Sequence, residues 1–213
     1  MEYKGCVVIQ GSFEDIETIS ELKQAFKNYQ IIFSTWEGID SSLFDYGDII
    51  LFNKLPKERG TLNFNLQKES TLNGISKAIR MGWKRVLKWR SDMIPTNADE
   101  LFKLMDGELN LYMWVNSKMG YVTDYIIEGD CKDVMKLFMS SIETEKPIFP
   151  EHFVTYELFR KELVFKAKTF GFRLNNDNDI FWKKRNYYLS ENKNNTELYS
   201  ENIPLNWEAY PII

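Results

Sequence analysis

Residues 5–13 read Gly5-Cys6-Val7-Val8-Ile9-Gln10-Gly11-Ser12-Phe13. Four apolar residues in a row, closed by a Gly-Ser pair, have the length and composition of a buried strand that ends in a tight loop. Beyond Phe13 the period changes. From Glu14 to Tyr29 the apolar residues Ile16, Ile19, Leu22 and Phe26 recur every three or four positions, the repeat of a helix face. Ser12 is the expected N-cap, and the acids at 14, 15 and 17 suit the positive end of that helix. Gln30 to Trp36 is again apolar and β-branched, and Asp48 to Phe52 is a third run of the same kind. Strand, helix, strand in this order predicts an α/β protein with a parallel sheet.

The rhythm continues outward. A second helix is predicted from Asn65 to Met81, with Gly82 as its stop, then a strand from Trp83 to Trp89 that runs into Arg90-Ser91-Asp92. A short helix is expected over Asn97–Met105, strands over Leu109–Asn116 and Val122–Ile127, and helices over Asp130–Ser140 and Pro150–Lys166. Gly171–Leu189 is read as a strand and an aromatic-rich helix, and Ser190–Asn202 as polar loop.

Composition narrows the chemistry. The 213 residues include one His and two Cys. One imidazole excludes HExxH sites, His-rich zinc centres and two-His iron sites, and two thiols cannot make a four-thiolate cluster. Reactions must then run on carboxylates, amides, hydroxyls and cations. A net charge of -4 gives no global basic field for nucleic acid. No apolar run reaches the 18 or more residues of a membrane span, and the start lacks a signal peptide, so a cytoplasmic protein with reduced, buried thiols is expected.

Three segments, Phe33–Gly38 (FSTWEG), Asn63–Ala78 (NFNLQKESTLNGISKA) and Val86–Met93 (VLKWRSDM), resemble blocks of the WavE lipopolysaccharide-synthesis family. Thr123–Asp130 (TDYIIEGD) and Pro150–Phe153 (PEHF) come next in the same order, so that the likeness spans roughly residues 6 to 160. The resemblance implies a GT-A-like (Rossmann-like) α/β fold, a single domain with a mostly parallel central sheet flanked by helices. It also implies a small glycosyltransferase, similar to those of bacterial surface polysaccharides and to the glycosyltransferase domains of large DNA viruses. On that reading residues 1–95 form the nucleotide-sugar half, 96–189 the acceptor side and 190–213 a polar C-terminal segment. The ending Pro211-Ile212-Ile213 allows the chain to be one domain of a longer protein.

In open α/β sheets ligands bind beyond the carboxyl ends of the strands. The candidates there are Gln10-Gly11-Ser12, Thr35-Trp36-Glu37, Asn53 and Arg90-Ser91-Asp92, with Lys88 just before them on the same strand. Gly11 would let the backbone approach a nucleotide, and Thr35 and Trp36 would line its pocket. The family's usual Asp-x-Asp corresponds here to Arg90-Ser91-Asp92. The resemblance makes Asp92 the ligand of a Mn²⁺ or Mg²⁺ ion, while Arg90, in place of the first acid, either binds phosphate or pairs with a carboxylate. Arg90 with Lys88 could supply the positive charge without a metal. Asn65, Gln67 and Ser70 are further binding candidates from the matching helix. Gln67, Ser70 and Gly74 share one face, either for a ligand or for packing on the sheet. General-base catalysis needs a carboxylate near the acceptor hydroxyl. Glu151 and Asp124 are the candidates, with the lone His152 beside Glu151. Trp114, Tyr121 and Tyr125 are either core or stacking faces for an acceptor sugar.

The expected partners are a UDP- or GDP-linked sugar and a glycan acceptor, with no nucleic acid and no membrane span, although peripheral membrane contact is compatible. The rival readings are a nucleotidyltransferase and a non-catalytic sugar- or nucleotide-binding module. Against the first of these, Gln10-Gly11-Ser12-Phe13 is not the Gly-rich basic loop that nucleotidyl transfer usually uses.

Overall fold

The computed structural model describes residues 3–60, 63–95, 98, 105, 107–115, 120–139, 150, 153–154, 157–158, 161, 163, 166–173, 182–184 and 198–199. The opening strand, β1 (Cys6–Gln10), is buried at all five positions and feeds α1 (Ile16–Ala25). The cap of α1 is Asp15, whose carboxylate accepts from the Thr18 N–H at 2.8 Å, and not Ser12. The loop after β1 is thus longer than expected, which leaves Ser12 to serve another wall. Next come β2 (Gln30–Trp36) and β3 (Ile49–Asn53), then α2 (Phe64–Arg80), β4 (Arg85–Arg90) and a short β5 (Met93–Pro95). Beyond them lie β6 (Leu109–Val115), β7 (Gly120–Asp130) and α3 (Cys131–Phe138), capped by the Asp130 side chain. The remaining strands are β8 (Ala167–Arg173), β9 (Trp182–Lys184) and β10 (Leu198–Tyr199).

The main sheet runs β10-β8-β6-β7-β4-β1-β2-β3. Strands β1, β2, β3 and β4 are mutually parallel, and β6 pairs parallel with β8. Between these halves β7 runs antiparallel to both β4 and β6, and β10 runs antiparallel to β8. The sheet is therefore mostly parallel, with one reversed strand at its middle and one at its edge. Two tail readings are corrected: Trp182–Lys184 is strand rather than aromatic helix, and Leu198–Tyr199, expected as loop, adds a strand to the sheet. The expected helix over Asn97–Met105 falls largely outside the described residues. Pro150, Phe153, Val154, Glu157 and Leu158 are helical, as the 150–166 reading requires.

Two apolar layers hold the sheet. Val7, Ile9, Leu87 and Trp89 face α1 through Ile19, Leu22 and Phe26. Val8, Ile32 and Val86 face Ile75 and Ala78 of α2 and Val134, Leu137 and Phe138 of α3. Both cysteines sit in this second layer. Burial raises their thiol pKa values, to about 12 for Cys6 and about 11 for Cys131, so neither is a nucleophile.

Gly74 marks where α2 presses on the sheet. A Cβ built there would lie 2.3 Å from Val8 Cγ1 and 3.3 Å from Ser34 Cβ. Its face is thus a packing face, and the ligand reading of Gly74 is set aside. Gly74→Ala gains about 1 kcal/mol of helix propensity. It must also force a methyl against a fully buried, β-branched Val8, an overpacking that costs about 1–3 kcal/mol. A lowered melting temperature is the expected result, at about 2–4 °C per kcal/mol for a chain of this size. A more stable variant would mean that α2 lifts off the sheet at no cost.

Candidate functional site

The carboxyl ends of β1, β2 and β4 and the first turn of α2 open onto one cleft of about 470 Å³. Gln10, Gly11, Ser12 and Glu14 supply one wall, from β1 and the long loop after it. Trp36 closes the end of β2, and Asn63, Leu66 and Gln67 come from the start of α2. Arg90, Ser91 and Asp92 extend from β4, Asp124 and Tyr125 project from β7, and Pro150 completes the described lining. Reversed β7 matters here, because it lays Asp124 beside β4 and so brings it to the same cleft.

Gly11 has φ +137°, and a Cβ there would lie 2.1 Å from Ser91 Oγ. Only glycine lets the loops after β1 and β4 meet so closely, and the Ser91 N–H donates to the Gln10 carbonyl at 2.9 Å. Gln10 is held from the other side: Ser70 Oγ lies 2.9 Å from its Oε1. Ser70 belongs to a buried polar chain. Ser34 Oγ donates to the Ser70 carbonyl at 2.7 Å, and Asn53 Nδ2 donates to Ser34 Oγ at 2.9 Å and to the Thr35 carbonyl at 2.7 Å.

Of the sequence candidates, the structure brings Gln10, Gly11, Trp36, Gln67, Arg90, Asp92 and Asp124 to the cleft. It does not bring Thr35, Glu37, Asn53, Asn65, Ser70 or Lys88 among its described lining. Thr35 is fully buried in β2, and Glu37 is exposed past the strand end. Asn53 and Ser70 join the sheet to α2, and Asn65 Nδ2 donates to the Glu58 carbonyl at 3.1 Å. Glu151 and His152 lie outside the described residues, as do the side chains of Trp114 and Tyr121. Ser12 and Ser91, candidates at the same strand ends, and Tyr125, a candidate stacking face, also line the cleft, as does Glu14, which the sequence weighs only as structure. By sequence Glu14 is a helix-end acid. The displaced cap at Asp15 is the signal that moves it to the cleft.

Two acceptors wait in this cleft. Both Asp124 carboxylate oxygens and Gln67 Oε1 are buried and have no hydrogen-bond partner among the described residues. Such groups are costly to leave unpaired, so they fit a ligand rich in O–H or N–H donors. The cation paired with Asp124 among the described residues is Lys88, wholly buried under α3. Its ammonium lies 3.8 Å from Asp124 Oδ2, donates to the Asp124 main-chain carbonyl and sits 5.8 Å from the Phe138 ring centre.

Arg90 is the cationic residue of the described lining. Its Nε and Nη2 donate to Asp92 Oδ1 and Oδ2 at 2.8 and 2.5 Å, a bidentate fork, and its guanidinium lies 4.7 Å from the Tyr125 ring centre. Burial disfavours the charged form, yet the Asp92 hydrogen bond and the charges of Asp92 and Asp124 together outweigh it and raise the pKa. As arranged, both Asp92 oxygens are already shared with a guanidinium, so the pair does not fit a divalent ion on Asp92.

No protein-family model matches the sequence, and no curated protein matches it. Solved structures do. A Desulfovibrio desulfuricans G20 protein, described as a nucleotide-diphospho-sugar transferase, superposes with a TM-score of 0.54 at 11% identity, covering 80% of each chain. A glycosyltransferase involved in glycosylation of the major capsid of PBCV-1 superposes with a TM-score of 0.52 at 11% identity, over 78% of this chain and 80% of that one. A nucleoside-diphosphate-sugar pyrophosphorylase from Vibrio cholerae RC9 gives a TM-score of 0.51 at 12% identity, over 79% and 92%. These likenesses show the fold. It is the GT-A-like α/β fold, and no described helix is long and apolar enough to cross a membrane.

Proposed function

We propose that the protein is a glycosyltransferase that moves a sugar from a nucleoside-diphosphate sugar to a glycan hydroxyl. The observation that carries this is the Asp124 carboxylate, buried, without a hydrogen-bond partner among the described residues, and in one cleft with the Arg90 guanidinium. One group suits a hydroxyl proton and the other a departing phosphate. Trp36 and the loop Gln10–Ser12 are suited to the nucleoside, and Gln67 to its hydroxyls. In the transfer step the acceptor hydroxyl gives its proton to Asp124 and its oxygen attacks the anomeric carbon. The bond from that carbon to the diphosphate breaks, and Arg90 stabilises the leaving anion. Glu151 is the second candidate for the base. The WavE-like blocks support a surface-polysaccharide or glycoprotein acceptor and a cytoplasmic place of work.

The shape shared with a pyrophosphorylase supports a second reading, nucleotidyl transfer. The two differ in products: a nucleoside diphosphate from a nucleotide sugar in one case, pyrophosphate from a nucleoside triphosphate in the other. In a panel of nucleotide sugars, the true donor at about 100 times its Kd is expected to stabilise the native state by about 2.7 kcal/mol. That raises the melting temperature by about 5–11 °C. The same donor should release its nucleoside diphosphate. No shift and no release from any nucleotide sugar would sink the reading, and pyrophosphate release from a triphosphate would replace it with the second.

A further inference from the structure

We infer that the cleft grips the donor diphosphate with the Arg90 guanidinium instead of a protein-held divalent cation, and that Asp92 is the internal counter-ion which the diphosphate displaces. The inference rests on the nucleotide-sugar reading of the cleft and concerns how its charge is neutralised.

Three observations converge. The first is the source of positive charge. Arg90 is the cation among the described lining residues, while Lys88, two positions earlier on the same strand face, is sealed beneath α3 and turned to Asp124. A mobile lysine pair is therefore not what meets a phosphate here. The second is the shape of the fork. Two parallel N–H donors of Arg90 already hold two oxygens of one anionic group, and the same planar geometry matches two phosphate oxygens. The Tyr125 ring lies against the guanidinium, its centre 4.7 Å away, and supports it while one anion replaces the other.

The third is Asp92 itself. Its side chain is 37% exposed, so it can turn into water when released. The pair is bidentate and only half-buried, and a diphosphate with more charge and more oxygens competes for the same fork. A dication on Asp92 would instead sit against the guanidinium that the same oxygens bind, charge against charge. The two roles of Asp92, metal ligand and counter-ion, thus predict opposite signs for one substitution.

The test is calorimetric titration of UDP, GDP, dTDP and ADP into the full chain, in EDTA and again with Mn²⁺. At least one nucleotide should bind in EDTA, and Mn²⁺ should change its Kd by no more than roughly threefold. Asp92→Asn should bind that nucleotide at least as tightly, up to ~10-fold tighter, because the competitor is gone. Arg90→Met should weaken it by ~10-fold or more, with Arg90→Lys in between because the ammonium keeps the charge but not the fork. Circular dichroism on each variant checks that it is folded. Binding that needs Mn²⁺, or that disappears in folded Asp92→Asn, overturns the inference and leaves the nucleotide-sugar reading standing. A wild-type chain that binds no nucleotide in either buffer overturns both.

Discussion

Asp124→Asn is expected to abolish sugar transfer while leaving the nucleotide in place. A general base contributes ~10²–10⁴ in rate, so kcat should fall by that factor. The amide keeps the shape of the carboxylate but cannot take a proton, and its NH₂ is a donor where the acceptor hydroxyl also brings a donor. On the proposed reading Arg90, on the neighbouring strand, grips the nucleoside diphosphate, so its Kd should move far less than kcat. Steady-state release of nucleoside diphosphate, run beside calorimetry on the same preparation, separates the two effects. Undiminished turnover in Asp124→Asn would pass the base role to Glu151. Equal losses in binding and turnover would make Asp124 a sugar-holding residue.

The largest loss of stability is expected at Lys88. Lys88→Met fits a flexible apolar chain into a wholly buried slot, but it strips Asp124 of the cation 3.8 Å away. Removing one member of a buried ion pair costs about 3–5 kcal/mol, because the other charge stays buried and unpaired. Thermal unfolding should fall by roughly 6–20 °C, at 2–4 °C per kcal/mol. The double variant Lys88→Met/Asp124→Asn, with neither charge, should lose less than the sum of the single variants. Strict additivity would mean that the two side chains do not interact. A melting temperature unmoved by Lys88→Met would mean that the ammonium reaches water.

The fold is legible in the sequence where burial is two-sided. Cys6–Gln10 and Gln30–Trp36 are short apolar runs because both faces of those strands are covered, and such runs stand out in a sequence. Direction is not legible. The residues of β7 would look the same pointing either way, and it is the reversal that brings Asp124 to the cleft of Arg90. The cluster at strand ends is half legible. Period two puts Lys88 and Arg90 on one face of β4, but not the depth at which α3 covers the first and leaves the second in the cleft. Ser70 and Asn53 are polar for another reason: a buried chain of hydrogen bonds joins α2 to the sheet, and from sequence alone that looks like a binding face.

Met93–Pro95, just past Asp92, pairs antiparallel with Trp182–Lys184. The loop after Arg90 is thus staked at its far end by a segment made some ninety residues later, a long-range closure of the slow kind. On the ribosome the central strands β1 to β4 are complete well before that stake exists. A nascent chain stopped short of Trp182 would own the guanidinium and its counter-ion, yet lack the strand that anchors the loop between them and the rest of the molecule.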